Sequence, residues 1–218
     1  MRRLTPLLAV VLIVTAGCGA MPATLSPISS FRLAIDSVLN ASDFTLVIKD
    51  SGPGGEQPLP AGFTSVMTAI IEKPDKFSMT ETVAGQATKT IAIGSVGYFH
   101  SAGEGVYWSE THHADESMNW TDSTLLYLNL LRRVTNVIRR GDSYVVPSGE
   151  AANLLSSTHF PRLQELTDVS LSVVLKQSGL LETIQLRVSG PSPFSMTATV
   201  SKVGSSPNIV APSRSDIA

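Results

Sequence analysis

Residues 169–200 read VSLSVVLKQSGLLETIQLRVSGPSPFSMTATV, and this stretch decides the fold class. Val169, Leu171, Val173 and Leu175 alternate with Ser170, Ser172 and Val174. Ile184, Leu186 and Val188 alternate with Thr183, Gln185 and Arg187, and Phe194, Met196, Ala198 and Val200 with Ser195, Thr197, Thr199 and Ser201. A period of two sends each set to opposite faces of an extended chain, so three strands are expected, each with one apolar face. The connections Gln177-Ser178-Gly179 and Ser189-Gly190-Pro191-Ser192 are far too short for a parallel crossover. The strands are therefore antiparallel neighbours in a meander.

The same period recurs toward the amino terminus. Phe44, Leu46 and Ile48 alternate with Thr45, Val47 and Lys49, a Gly/Pro-rich loop covers Ser51 to Gly62, and a strand is expected from Phe63 to Lys73 up to the break at Pro74-Asp75. Phe77, Met79 and Val83 alternate with Ser78, Thr80 and Thr82. Gly85 then turns the chain into Gln86–Ile93, Val96–Phe99 forms a short strand, and Gly103-Glu104-Gly105 leads into Val106-Tyr107-Trp108. A further short strand is expected at Ser143–Val146, and an edge strand at Asn208–Ala211 in a tail that otherwise frays. About nine antiparallel strands make an α+β domain over residues 31–212, with 213–218 as the frayed end.

Three short helices punctuate the ladder. Phe31, Leu33, Ala34, Ile35, Val38 and Leu39 recur at helical spacing from Ser30, and Gly149 to Ser157 reads as a small helix. Between them, Asp122 to about Ile138 places Leu126, Tyr127, Leu130, Leu131, Val134, Val137 and Ile138 on one arc, with Thr121 or Asp122 as cap and Arg132-Arg133 near the C-terminal end. Leu125 and Leu128 fall on the polar side. Either they are ordinary exposed leucines or the helix meets apolar matter on two sides, a ligand among the candidates. Helices of roughly 10 to 16 residues are only about 15 to 24 Å long, so they would cover a curled sheet incompletely and leave an apolar cavity. A fully packed core without a cavity is the alternative.

Met1-Arg2-Arg3, an uncharged apolar run, and Thr15-Ala16-Gly17-Cys18 form a secretory leader (1–17) ending at a lipid-attachment cysteine. The run is shorter than the ~20 residues a membrane-spanning helix needs. Cys18, the only cysteine, is expected to carry the acyl chain, with 18–30 as a flexible tether and the cell membrane's extracytoplasmic face as the location. Thr15 stands where leucine or valine is commoner. The formal net charge of −2, before the leader takes two arginines away, argues against nucleic acid.

Chemical motifs are scarce. His100, His112, His113 and His159 lack metal-ligand spacing, Gly94-Ser95-Val96-Gly97 is one residue short of a nucleophile elbow, and Gly103-x-Gly105 alone is a turn. Glu104, Glu110, Asp115 and Glu116 fall in or beside the polar segment Ser109 to Trp120, where a solvated flap is the expected role. Trp108 and Trp120 bracket that segment and suit a cavity mouth, a membrane surface or the core. No enzyme, metal or cofactor is expected.

The leader, the short first helix, KPDKFSMT (Lys73 to Thr80), VGYFHSAGEGVYW (Val96 to Trp108), DSTLLYLNLLRRV (Asp122 to Val134) and FSMTATVSKVG (Phe194 to Gly204) together resemble the LprG/LppX group of actinobacterial lipoproteins. The resemblance covers nearly the whole mature chain, in order and pattern more than in diagnostic residues. It implies a LolA-like fold, a curved antiparallel half-barrel with about three short helices over its concave face, and a non-enzymatic role in binding a lipid or glycolipid and moving it across the envelope. On this chain it implies a cavity lined by Phe77, Met79, Leu126, Tyr127, Leu130, Leu131 and Val134. Trp108, Trp120, Leu125 and Leu128, by their place beside the polar segment and on the second helix, are expected at a mouth or flap. A monomer is expected. The other class of function is a sensor or interaction module of the same fold, with an envelope transport or signalling protein as partner and no ligand.

Overall fold

The computed structural model describes residues 25–52, 62, 64–103, 108–112, 125, 128–156, 168–176, 178–190 and 193–218. In chain order the elements are α1 (Pro27–Leu39), β1 (Asp43–Ser51), β2 (Thr64–Glu72), β3 (Lys76–Val83), β4 (Gln86–Ile93), β5 (Val96–Ser101) and β6 (Ser109–His112). Then come α2, helical at residue 125 and over 128–131, β7 (Ile138–Arg140), β8 (Ser143–Val146), α3 (Ser148–Ser156), β9 (Asp168–Leu175), β10 (Leu181–Ser189) and β11 (Phe194–Ser201). All 11 strands form one sheet in the order β6-β5-β4-β3-β2-β1-β11-β10-β9-β8-β7. Every pairing in it is antiparallel. The sheet is curved and unclosed, the α+β half-barrel expected from the sequence.

Only the junction of β1 with β11 joins strands distant in sequence, and there Leu46 faces Val200 and Ile48 faces Ala198. That seam welds the two meanders into one apolar face. The inward residues of the meander are those that alternation selects: Val169, Leu171, Val173 and Leu175 on β9, and Phe194, Met196, Ala198 and Val200 on β11, all buried. On β10 the register shifts between Leu181 and Thr183, after which Ile184, Leu186 and Val188 face the core. The bulge keeps Leu181 inside despite an odd spacing.

The cover is helical. Ser26 caps α1 by accepting from the Ser29 amide at 3.2 Å, and Pro27 fits the first turn, where its missing N–H is not needed. The helix thus starts before Ser30, inside the stretch expected to be tether. Phe31, Ala34, Ile35 and Val38 are buried, whereas Leu33, grouped with them by its period, is 62% exposed. Phe31 meets the Tyr144 ring of β8 at 6.2 Å between centroids. Lys73 donates its Nζ to the Leu39 carbonyl at the C-terminal end of α1, where a cation opposes the helix dipole favourably.

Three expectations change. The second helix ends at residue 131, not near Ile138; Val134 and Val137 are buried in an irregular stretch and Ile138 opens β7. The first residues of the polar segment, Ser109–His112, are a strand pairing with β5, because an edge strand needs backbone partners and no apolar face. The tail adds no strand at Asn208–Ala211, and residues 214–216 form a 3-10 turn that leads Ile217 into a bridge with Trp108. The Trp108 amide donates to the Asp216 carbonyl at 2.6 Å and the Ala218 amide to the Trp108 carbonyl at 2.8 Å.

Candidate ligand-binding site

Where α2 and α3 lie over the meander, a void of about 30 Å³ remains. Its walls are Leu130 and Leu131 of α2, Leu154 and Leu155 of α3, and Leu171, Ile184, Leu186 and Met196 of the sheet. Among the described residues no polar side chain enters this lining. The floor follows from register: Leu171 opposes Leu186, which opposes Met196, a single row crossing β9, β10 and β11. Continued along the row, Met196 opposes Asp50 of β1 and Asp50 opposes Ser65 of β2, whose hydroxyl donates to Glu81 Oε1 at 3.5 Å. An apolar floor therefore grades into a polar patch two strands away.

Polar contacts hold the helices down around the void. Arg132 Nε meets Asp36 of α1 at 2.8 Å, and Arg32 of α1 donates to the Val134 carbonyl at 3.1 Å. Glu150 in the first turn of α3 accepts from the Thr135 amide, from the Thr135 hydroxyl at 2.8 Å and from the Asn136 amide at 3.3 Å. Burial pushes the Glu150 carboxyl up, but these three donors outweigh it and hold its pKa below the usual carboxylate range. The exit of α2 is thus tied to both other helices.

The expected lining residues separate into groups. Leu130 and Leu131 line the void. Phe77 is buried on β3 between Ile71 and Ala92, and Met79 packs partly buried against the core; neither borders the void, which lies across the sheet under α2 and α3. Val134 is fully buried beyond the helix end. Leu126, Tyr127, Trp120 and Cys18 lie outside the described residues. Leu125 and Leu128 are 7% and 1% exposed, so they are not ordinary exposed leucines. Trp108 sits beside the His100 ring at 5.4 Å between centroids. The lining contributed by α3 and by β9–β11 went unmarked in the sequence, because Leu154 and Leu155 read as any buried helix face and the strand residues carry the same alternation as any strand core.

Among the described residues no group of three His, Cys, Asp or Glu side chains could hold a metal ion, and no helix is long and apolar enough to cross a membrane. His112 pairs with Glu110 on the exposed edge strand β6.

No family model matches the chain, and no curated protein matches it in sequence. A solved structure does match: the crystal structure of the Mycobacterium tuberculosis lipoprotein LppX superposes with a TM-score of 0.54 over 84% of this chain and 98% of that one, at 14% identity. The chain has the fold of LppX. At that identity the likeness speaks to architecture alone. A DUF1329 family protein from Desulfovibrio piger aligns over 82% of this chain and 92% of that one with a TM-score of 0.30 and 8% identity, too loose to bear on the fold. Within the LppX fold, this chain places its apolar void between the covering helices and the carboxyl-terminal half of the sheet.

Proposed function

We propose that the chain is a non-enzymatic lipoprotein, acylated at Cys18 and held at the extracytoplasmic face of the cell membrane, that binds the acyl part of a lipid or glycolipid and carries it across the envelope. The observation that carries this reading is the lining under α2 and α3, apolar throughout its described residues. A void of about 30 Å³ has room for one water, whereas ligand pockets span about 300–1,000 Å³. Binding therefore requires α2 and α3 to part from β9–β11. Their apolar undersides then contact the acyl chain instead of each other, and the neighbouring polar patch of β1–β3 takes the head of the amphiphile.

Leu130→Arg tests this directly. A guanidinium among apolar groups has no acceptor and blocks the chain's entry. The expected outcome is at least a tenfold loss of co-purified lipid in a protein that keeps its circular dichroism and elution volume, while Val210→Arg, at an exposed position, keeps its lipid. Leu155→Phe, which fills the void without adding charge, serves if Leu130→Arg does not fold. Full lipid occupancy in a folded void variant contradicts the reading.

The size of the void favours a second reading. With so small a void, and tied by the Arg132–Asp36 and Glu150–Thr135 contacts, the domain would serve as a sensor or interaction module for an envelope protein with nothing bound. That reading predicts no lipid uptake at all.

A further inference from the structure

A second concavity, of about 230 Å³, opens on the outside of the molecule between α1, the β7–β8 hairpin and the β9–β10 turn. Leu25 and Leu33 wall it, buried Tyr144 and Leu175 form its base, and exposed Arg139 and Lys176 stand at its rim beside Asp142. Leu25 is 58% exposed and Leu33 62%; Ile138 and Leu180, next in the chain to lining residues Arg139 and Gly179, are 48% and 36% exposed. Single exposed aliphatics are ordinary, but two that wall the same groove, Leu25 and Leu33, call for a partner. In a chain whose net charge is −2, the groove carries Arg139 and Lys176 against Asp142. Arg139 is held in place by donating to the Gly141 carbonyl at 3.0 Å and by lying 5.9 Å from the Tyr144 ring centroid.

We infer that this groove docks on the anionic phospholipid surface to which Cys18 tethers the chain. The inference rests on the acylation of Cys18 proposed above. Two observations select that occupant. Cys18 precedes Leu25 by seven residues, which span at most about 25 Å, so the groove is the described surface held nearest the bilayer. Its chemistry also matches an interfacial site: leucines enter at the boundary of headgroups and acyl chains, while the arginine and lysine heads stay at the level of the phosphates. Docking fixes α1 and the β9–β10 turn against the membrane and orients the half-barrel relative to it.

The test uses the full acylated lipoprotein in vesicles. Cys18 is the only cysteine, so once it is acylated Leu33→Cys supplies a unique free thiol for an environment-sensitive fluorophore. In phosphatidylcholine vesicles containing phosphatidylglycerol, the label should emit to the blue and be quenched by brominated lipid. Pure phosphatidylcholine, or Arg139→Glu with Lys176→Glu, should cut the quenching at least about twofold. A label at exposed Lys89→Cys on β4 should stay in water. A water-exposed Leu33→Cys label on acylated, vesicle-bound protein overturns the docking and leaves the tether standing. Loss of both the acyl mass on Cys18 and vesicle retention overturns tether and docking together. A label already shielded without vesicles shows the groove filled by the chain itself or a second copy, and also overturns the docking.

Discussion

Asp43 opens β1 and holds the chain that leaves β11. Its Oδ1 accepts from the Ser205 amide at 2.6 Å and the Ser206 amide at 3.1 Å, and its Oδ2 from the Ser42 hydroxyl at 2.7 Å. The Ser42 hydroxyl and then the two amides, against the cost of burial, hold its pKa below the ordinary 3.8. A depressed carboxyl pKa contributes stability that is complete above 3.8 and is lost as pH falls through the lower folded value. Asp43→Asn should therefore melt below the wild type at neutral pH, with the gap closing as pH drops below 3.8; a constant gap down to pH 2 would show that the charge contributes nothing. Glu150 titrates in both proteins and cancels from the comparison, whereas Glu72, held low chiefly by Lys76, is raised by the Asp43 charge and is freed of that effect in the variant. A contrast of leucines tests burial in the same way. Leu128→Ala, at a site 1% exposed, should cost about 2–5 kcal/mol in urea unfolding, and Leu33→Ser, at a site 62% exposed, no more than about 0.5 kcal/mol.

Among the elements, α2 is tied at its exit to both other helices. Glu150 satisfies the Thr135 and Asn136 amides just past its end, and Arg32 takes the Val134 carbonyl. Glu150→Ala should cost about 1 kcal/mol and speed amide exchange over residues 132–137, while β9–β11 stay protected. Unchanged exchange there would show that the contact does not tie α2 down. These same groups explain where the sequence was readable. The strands β1–β5 and β8–β11 were legible because alternation against a buried face leaves a period-two trace, as in Leu171, Val173 and Leu175. The end of α2 was not legible. Val134, Val137 and Ile138 sit at helical spacing, and only backbone partners on α1 and α3, invisible in a linear pattern, divert the chain into β7. The edge strand β6, Ser-Glu-Thr-His, was hidden for the opposite reason, since it buries nothing. Within the site, Leu130 and Leu131 were foreseen, whereas Leu154, Leu186 and Met196 were not, because facing a void and facing a packed core have the same sequence signature.

The whole molecule is an open sheet whose two ends are treated alike. Its edge strands, β6 with four residues and β7 with three, are short, exposed and carry charge at Glu110 and at Arg139-Arg140, features that discourage edge-to-edge pairing. With β6 and β7 unpaired to one another, the half-barrel does not close, and among the described residues α1, α2 and α3 cover its interior, packed on it through buried apolar side chains and tied to one another by a few polar contacts. Such a cover can lift without breaking a strand ladder, and that is the physical basis of the carrier reading. Native mass spectrometry of the protein purified from its own membrane, followed by organic extraction and lipid analysis, tests that claim most directly. The account predicts one amphiphile per chain beyond the Cys18 acyl groups, lost in Leu130→Arg. A ligand-free mass that persists when lipids are offered would contradict it and favour the interaction module.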